Sequence, residues 1–303
     1  MANDSDITFV IQGGQYFVKG ENKTVLVADS IRKYYPKSKI IFSTSDHKID
    51  GAIKADLIVQ IADVGSLPSK KGKPNNINRQ LASTKAGLDK VATKWVCKTR
   101  SDVMFTSKKS FFSLQKKYNF SQKGIPKLVS NNKIIVSSVT SKRFNVKEDY
   151  INHVSDWFYF GETKDVKLLF SLPLFIANDL DQNEVISPER YIWESFARKH
   201  KDFQYSLKWS EMFLVGNAAV FDPKDLGIKS LKLGYRSPFG VNGYHGMWHG
   251  DWLNLYYKYN NISNPLTNVY LLGRVTKRIY YWFRNFLVIS TLLRIKKFFL
   301  GKN

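Results

Sequence analysis

The stretch NINRQLASTKAGLDKVATKWVCKTRSDVMF, residues 76–105, carries the pattern that decides the fold. Its first half predicts an amphipathic helix, and the preceding Pro-Asn-Asn run supplies a stop signal and capping groups. Four apolar residues fall on one face of that helix: Ile77, Leu81, Leu88 and Val91. An apolar segment of strand length, Trp95-Val96-Cys97, follows and runs into the polar Arg100-Ser101-Asp102. The stretch therefore predicts a helix and then a buried strand with charged residues at its end.

The segments before this stretch repeat the alternation of strands and helices. They are a strand at residues 7–11, a helix at residues 24–35, a strand at residues 39–42 and a strand at residues 55–60. Such alternation predicts a mostly parallel sheet covered by helices. Because ligands bind outside the carboxyl ends of strands in open α/β sheets, the polar residues at these ends should converge on one site.

Two strand ends carry groups that suit a nucleotide. Arg100 beside Asp102 suits a bare or metal-bound diphosphate, although the two side chains would equally suit an ordinary turn salt bridge. Gln12-Gly13-Gly14 lacks the third glycine and the ribose-binding acid of a dinucleotide fingerprint. It still allows a nucleotide to approach the backbone closely.

Four segments resemble the WavE-type lipopolysaccharide synthesis proteins, over roughly residues 5–220: FVIQGG (9–14), SIRKYYPKSKIIFST (30–44), NINRQLASTKAGL (76–88) and KTRSD (98–102). The most specific part is the joint occurrence of Asn78-Arg79-Gln80, Ser83-Thr84-Lys85 and Arg100-Ser101-Asp102 at these spacings. The resemblance implies a bacterial glycosyltransferase with a GT-A-like fold. Such an enzyme transfers a sugar from a nucleotide-sugar donor to a lipid-linked or growing surface glycan, in lipopolysaccharide or capsule synthesis.

The resemblance and the strand ends together give a predicted donor-binding set. Its members are Gln12, Gly13, Ser43, Thr44, Asn78, Arg79, Gln80, Thr84, Lys85, Arg100 and Asp102. GT-A enzymes usually carry an Asp-x-Asp motif here, but Arg100 stands in place of the first acid. Asp102 is then the single candidate metal ligand, so dependence on Mg²⁺ or Mn²⁺ is in doubt, and Arg100 would take over part of the charge neutralisation.

Three carboxylates are rival candidates for the catalytic base. Asp156 precedes the aromatic segment Trp157-Phe158-Tyr159-Phe160-Gly161, which is a predicted strand, and could instead cap a loop. Glu189 lies in the first turn of a helix that Ser187 would cap, where an acid is also favoured by the helix dipole. Glu194 lies further along the same helix and faces either the core or a cleft. An inverting transfer needs one carboxylate within hydrogen-bond reach of the acceptor hydroxyl.

Composition agrees with an α/β enzyme of one large domain. The chain has 303 residues, of which 43% are hydrophobic, so a sizeable core is possible. The single cysteine, Cys97, excludes a disulfide framework and is interpreted as a small buried hydrophobe. We expect one GT-A-like domain with a Rossmann-like sheet at residues 1–265, and a basic amphipathic tail at residues 266–303.

The charge of the chain, +22, favours polyanionic partners. From Arg274 onward there are eight basic residues and no acidic residue, interleaved with aromatic and aliphatic side chains. This pattern predicts an amphipathic segment that lies on an anionic membrane surface. Its longest uncharged run, residues 285–293, is too short to span a bilayer. The alternative is a terminal helix pair packed on the domain.

Two further function classes compete with a glycosyltransferase. The charge alone would allow a nucleic-acid-binding protein, but no zinc finger, RNA-binding aromatic signature or helix-turn-helix is evident. A non-catalytic scaffold docked on a membrane is the other alternative. The N-terminus lacks the charged start and apolar run of a signal peptide, so we expect a cytoplasmic protein on the inner face of the cell membrane.

Overall fold

The computed structural model describes residues 3–67, 74–176, 187–232 and 245–263. The chain divides into two compact units, Met1–Asn261 and Ile262–Asn303. The predicted basic tail, residues 266–303, lies outside the described residues, so its boundary and its membrane role stay predictions. Within the described ranges, no helix combines the length and apolar character needed to cross a bilayer.

A seven-stranded sheet forms the centre of the first unit, with the order β10-β8-β9-β6-β1-β4-β5. The strands are β1 (Ile7–Gln12), β2 (Phe17–Val18), β3 (Glu21–Asn22), β4 (Lys39–Thr44), β5 (Leu57–Gln60), β6 (Trp95–Arg100), β7 (Val103–Phe105), β8 (Ile134–Ser137), β9 (Phe158–Glu162), β10 (Ala218–Phe221) and β11 (Ile228–Ser230). Two small antiparallel sheets, β2–β3 and β7–β11, accompany it. The predicted α/β class with a mostly parallel, Rossmann-like central sheet is confirmed.

One central strand, β9, is antiparallel to its neighbours. It pairs antiparallel with both β6 and β8, whereas the pairs β1–β4, β1–β6, β4–β5 and β8–β10 are parallel. The last pair along β6 and β9 is Thr99 with Phe158. The beginning of β9 therefore lies at the edge of the sheet where the parallel strands end.

Helices cover the sheet on both faces. In the described residues they are α1 (Thr24–Tyr34), α2 (Ile77–Asp89), α3 (Phe111–Lys117), α4 (Thr163–Phe170), α5 (Pro188–Ala197), α6 (Leu207–Asn217), α7 (Pro223–Leu226) and α8 (His249–Tyr259). Short 3₁₀ turns occur at Asp4–Asp6 and Glu148–Tyr150. Three of the apolar residues predicted to share a face of α2, Ile77, Leu81 and Leu88, are buried in that helix, as expected for a helix packed on the sheet. The fourth, Val91, is also buried, but it lies beyond the end of the helix at Asp89, so its predicted place in α2 is wrong.

Helix α2 approaches the sheet closely at Gly87. A Cβ atom there would lie 2.6 Å from Val10 Cγ1 and 2.9 Å from Ser43 Cβ, so only glycine fits. The helix begins after Asn76, but Asn75 provides the side-chain bond: its Oδ1 accepts from the Ile77 backbone N–H at 3.1 Å. The contact at Gly87 holds the C-terminal part of α2 against β1 and β4.

The opposite face of the sheet carries an aromatic core. Phe9, Tyr35 and Phe105 meet with ring centroids 5.0–5.6 Å apart, in tilted and edge-to-face arrangements. Phe111 and Phe158 extend the cluster across β9. Aromatic rings bury large apolar areas, so this cluster holds β7 and α3 firmly against the strands that end at the site.

Candidate active site

A cavity of about 590 Å³ lies at the edge where β1 and β6 end. Its lining residues are Gln12, Gly13, Gly14, Gln15, Tyr16, Pro74, Asn75, Asn76, Gln80, Arg100, Ser101, Asp102, Asp156, Ser187, Pro188, Glu189 and Lys232. They come from the ends of two parallel strands, the start of α2, the segment before β9 and the start of α5. The convergence of polar strand ends expected from the sequence is thus observed.

Arg100 is the last residue of β6 and pairs in register with Gln12 of β1. Its guanidinium binds the Asp102 carboxylate at two points, Nε to Oδ1 and Nη2 to Oδ2, each at 3.0 Å. The guanidinium also stacks on the Trp157 ring, 4.9 Å from the centroid. Burial opposes the charge of Arg100, but the Asp102 and Asp156 carboxylates outweigh it and raise the pKa of Arg100. The turn salt bridge considered from the sequence does form, inside the cavity.

Asp156 reaches this cavity because β9 is antiparallel. Its Oδ2 lies 3.6 Å from Arg100 Nη1, and the residue is only 2% exposed. Its Oδ1 is buried without a hydrogen-bond partner in the described structure. A buried carboxylate oxygen with no partner is costly, which is typical of a functional site rather than of a structural ion pair.

Glu189 lies in the first turn of α5 and lines the same cavity. The predicted cap is confirmed, since Ser187 Oγ accepts from the Arg190 backbone N–H at 3.3 Å. Burial and the negative charge of Asp156 raise the pKa of Glu189 to about 7, against the opposing charge of Arg100. A carboxyl group with a pKa near neutrality can accept or return a proton under physiological conditions.

Glu194 lies outside both cavities described here. It forms ion pairs with two arginines on its own helix, with Arg190 Nε at 3.2 Å and with Arg198 Nη2 at 2.6 Å. These bonds occupy both of its carboxylate oxygens. The structure therefore brings together Asp156 and Glu189, but not Glu194.

A second cavity of about 560 Å³ adjoins the first and shares Gln12, Gly13, Gly14 and Asn76 with it. Its remaining lining residues are Ser45, Asp46, His47, Asp63, Arg79 and Ser83. Arg79 Nε and Nη2 bind Asp63 at 2.7 and 2.5 Å, and this contact lowers the pKa of Asp63 to about 2. We refer to these two adjoining cavities, at the ends of β6, β1 and β4, as the groove.

Six of the predicted donor-binding residues line this groove, and five do not. Those in the lining are Gln12, Gly13, Arg79, Gln80, Arg100 and Asp102. Ser43, Thr44 and Thr84 are buried, and Lys85 is exposed away from it. Asn78 is bonded at both ends of its amide to the Phe175 backbone, at 2.7 and 3.0 Å, and so anchors the segment after α4.

Several lining residues are absent from the predicted donor-binding set. Gly14, Asp46 and Asp63 belong to the polar strand ends that the sequence indicates, and Gln15 follows directly on Gly14. Including the whole of each strand end in the set would have found Gly14, Asp46 and Asp63. Lys98, which lies inside β6 between Cys97 and Thr99, was also missed, although a lysine within an apolar strand is itself a signal.

In the described structure Arg100 binds the Asp102 carboxylate, the predicted metal ligand. Mg²⁺ is usually held by one or two protein carboxylates together with waters and substrate phosphates. Both Asp102 oxygens face the Arg100 guanidinium, and the described ranges contain no group of three His, Cys, Asp or Glu residues suited to a metal. A second candidate is the pair His245 and His249, whose i, i+4 spacing suits metal ligands on a helix. The two ring nitrogens of His249 contact Val220 O at 2.7 Å and Tyr118 Oη at 3.2 Å.

Comparison with known proteins gives a family and two distant structures. Residues 7–194 match the family described as WavE lipopolysaccharide synthesis. No curated protein shows significant sequence similarity to the chain. A 4-diphosphocytidyl-2C-methyl-D-erythritol synthase from Anaerococcus prevotii DSM 20548 is 14% identical, with a TM-score of 0.37, covering 78% of this chain and 97% of that one. A glycosyltransferase involved in glycosylation of the major capsid of PBCV-1 is 14% identical, with a TM-score of 0.34, covering 72% and 82%.

Proposed function

The chain belongs to the WavE lipopolysaccharide synthesis family, and we propose that it is a glycosyltransferase that uses a nucleotide-sugar donor. Its acceptor would be a lipid-linked or growing surface glycan. The observation that carries this proposal is the arrangement at the end of β6: Glu189, with a pKa near 7, shares one cavity with Arg100 and a glycine-rich strand end.

The glycine pair at the end of β1 supports binding of a donor nucleotide. Gly13 has a φ of 115°, which favours glycine. A Cβ atom at Gly14 would lie 3.1 Å from Asp46 Oδ1, so a larger residue would crowd the junction of the two cavities. Ser101 Oγ donates to the Gly14 carbonyl at 2.6 Å and holds this backbone beside Arg100. The side-chain-free backbone at Gly13 and Gly14, together with the Arg100 cation, suits a nucleoside diphosphate.

Arg100 would neutralise the leaving group. In the transfer, the bond between the anomeric carbon and the diphosphate oxygen breaks, and negative charge develops on the diphosphate. Fixed donors aimed at developing charge are often the largest catalytic contribution. Arg100 is fixed by Asp102 and by the Trp157 ring, so its position changes little during the reaction.

Glu189 would act on the acceptor. Its carboxylate takes the proton from the acceptor hydroxyl while that oxygen bonds to the anomeric carbon and the nucleotide leaves. A base with a pKa near the working pH combines an ionised form with a useful proton affinity. Asp156, which lies beside Arg100, would keep the pKa of Glu189 high through its negative charge.

The proposed setting is the inner face of the cell membrane, with the basic tail at residues 266–303 bound to anionic lipid. The eight basic residues after position 273 and their aromatic neighbours support it. A peripheral position would bring the groove to a lipid-linked acceptor. Nucleic acid is not an expected partner, because no recognition motif accompanies the charge.

A panel of nucleotide sugars and free nucleotides tests donor binding directly. Thermal unfolding is measured with each ligand, for the wild type and for Arg100→Ala. A ligand at a hundred times its dissociation constant stabilises the folded state by about 2.7 kcal/mol. We expect a shift with one nucleotide class and its sugar conjugates, and a smaller shift in the variant. Stabilisation by duplex DNA or RNA instead, with a steep salt dependence, would contradict the proposal.

A further inference from the structure

Lys98 is a fully buried lysine beneath the cavity. It lies in the middle of β6 and has 0% exposure. Its Nζ donates a hydrogen bond of 2.6 Å to the backbone carbonyl of Asp156. The rings of Tyr159 and Phe170 lie 5.7 and 5.8 Å from the ammonium. The ammonium group thus lies near two aromatic rings and is hydrogen-bonded to the Asp156 carbonyl.

A buried lysine such as Lys98 lowers the stability of the folded state. Taking an ammonium group out of water carries a large desolvation penalty, and a well-packed hydrophobic side chain of similar volume often gives equal or greater stability. Burial lowers the pKa of Lys98 to about 8, while the nearby Asp156 opposes this shift and favours the charged form. Residues that break the rules of core composition are expected mainly at functional sites.

The hydrogen bond from Lys98 reaches the backbone of Asp156 just outside the β-sheet ladder. The pairing of β6 with β9 ends at Thr99 and Phe158, so Asp156 lies two residues beyond the ladder. Lys98 and Arg100 project from the same face of β6, because alternate residues of a strand do so. Lys98 therefore holds the main chain of Asp156, while Arg100 Nη1 lies 3.6 Å from its carboxylate.

The charge of Lys98 also acts on the carboxylates of the cavity. Asp156, Asp102 and Glu189 all interact electrostatically with its ammonium. Glu189 also interacts with the Asp156 carboxylate, the Arg100 charge and the Thr140 side chain. Lys98 thus lies beside an acidic cluster whose other cationic neighbours include Arg100, Lys142 and Lys232.

We propose that Lys98 is a positioning residue for sugar transfer: its ammonium fixes the main chain at Asp156 and thereby holds the Asp156 and Glu189 carboxylates in their reactive arrangement at Arg100. This inference rests on the proposed glycosyltransferase function. Lys98 would act from the interior of β6, without contacting the donor or the acceptor.

The test compares Lys98→Met with a matched control, Lys133→Met. Lys133 is also 0% exposed and donates to a backbone carbonyl, that of Phe120, at 2.6 Å. It precedes β8, at the opposite edge of the sheet from the cavity. We expect Lys98→Met to keep or raise the melting temperature, to lower kcat by about 100-fold or more, and to change KM less than threefold, since misplacement of about 1 Å can cost that much. Lys133→Met should leave kcat unchanged.

Lys98→Arg, which restores a buried cation with hydrogen-bond donors, should recover part of the lost kcat. If Lys98→Met does not fold, Lys98→Gln takes its place, because it keeps a polar group and removes the charge. A kcat within threefold of the wild type in a folded Lys98→Met or Lys98→Gln protein would overturn the proposal. Equal losses in the Lys98 and Lys133 variants would overturn it as well.

A substrate-free measurement separates this inference from the proposed function. The carboxyl ¹³C signal of Glu189 is assigned by its absence in Glu189→Gln and titrated in the wild type and in Lys98→Met. Loss of the buried positive charge should raise the pKa of Glu189. An unchanged titration contradicts the role of Lys98 even if transfer is observed. Absence of transfer with every donor contradicts the proposed function, while the titration still tests Lys98.

Discussion

The Arg100 guanidinium lies 3.6 Å from the Asp156 carboxylate, although the two residues belong to strands that run in opposite directions. Arg100 ends the parallel strand β6, and Asp156 precedes the antiparallel strand β9. This contact lies between Gly13 and Gly14, in the part of the groove proposed to bind the donor, and Glu189, the proposed base. This contact is the structural centre of the proposed transfer site.

Replacing Arg100 by Ala should lower kcat/KM by about 10²–10³, because one fixed donor to a developing negative charge contributes about 2.7–4 kcal/mol. Arg32 provides a matched comparison, since it forms an ion pair of 2.6 Å with Asp56 away from both cavities. Arg32→Ala should leave kcat/KM within threefold. A loss below about threefold for Arg100→Ala would assign Arg100 to a purely structural ion pair.

The sequence predicted the donor half of this site better than the acceptor half. Parallel strands end at one edge, so Gln12, Gly13 and Arg100 could be placed together from strand order alone. Asp156 joins them only because β9 is inserted antiparallel between β6 and β8, and that pairing depends on tertiary contacts. The local pattern around Asp156 fitted a loop cap equally well.

Helix α2 shows a second limit of the sequence pattern. Asn78, Arg79 and Gln80 are consecutive, and consecutive helical residues point about 100° apart. Gln80 faces the first cavity, Arg79 faces the second, and Asn78 binds the Phe175 backbone. A motif that is continuous in sequence therefore has its side chains in three different environments.

The stability of the fold should depend on pH through Glu189. Its pKa in the folded state is raised from 4.5 to about 7, so the folded protein binds more protons than the unfolded chain between these values. The Glu189 contribution to the free energy of unfolding is therefore fully present below about pH 4.5 and is lost as the pH rises through about 7. Urea unfolding over this range should show the decline in the wild type and a flatter profile in Glu189→Gln. Parallel profiles for the two proteins would contradict the raised pKa.

Removal of divalent cations should have little effect on transfer. Both oxygens of Asp102, the predicted metal ligand, bind Arg100 in the described structure. We expect turnover in EDTA to stay within threefold of turnover in Mg²⁺ or Mn²⁺. Asp102→Asn should still abolish most activity while the protein stays folded, because Arg100 loses the partner that fixes it. Loss of wild-type turnover in EDTA, restored by added Mn²⁺, would instead support Asp102 as a metal ligand.

Truncation after Leu272 should release the protein from anionic vesicles. Each Lys or Arg near an anionic surface contributes about 1 kcal/mol, and the removed segment contains eight of them. Donor binding and activity on a soluble acceptor analogue should survive, whereas activity on a lipid-linked acceptor should fall. Co-sedimentation with anionic and with neutral vesicles measures the difference. Equal sedimentation with both would support a tail that packs on the protein rather than on lipid.

The most direct test of the central claim compares sugar transfer by the wild type, by Glu189→Gln and by Glu194→Gln. The donor is the nucleotide sugar that the wild type binds, with its sugar labelled, and the acceptor is an extract of lipopolysaccharide precursors. The rate at which label appears on the acceptor is measured. A general base contributes about 10²–10⁴-fold, so Glu189→Gln should lose that factor. Glu194 is bound by Arg190 and Arg198 outside the cavities, so Glu194→Gln should retain turnover within threefold. Transfer at the wild-type rate by a folded Glu189→Gln protein would contradict the account.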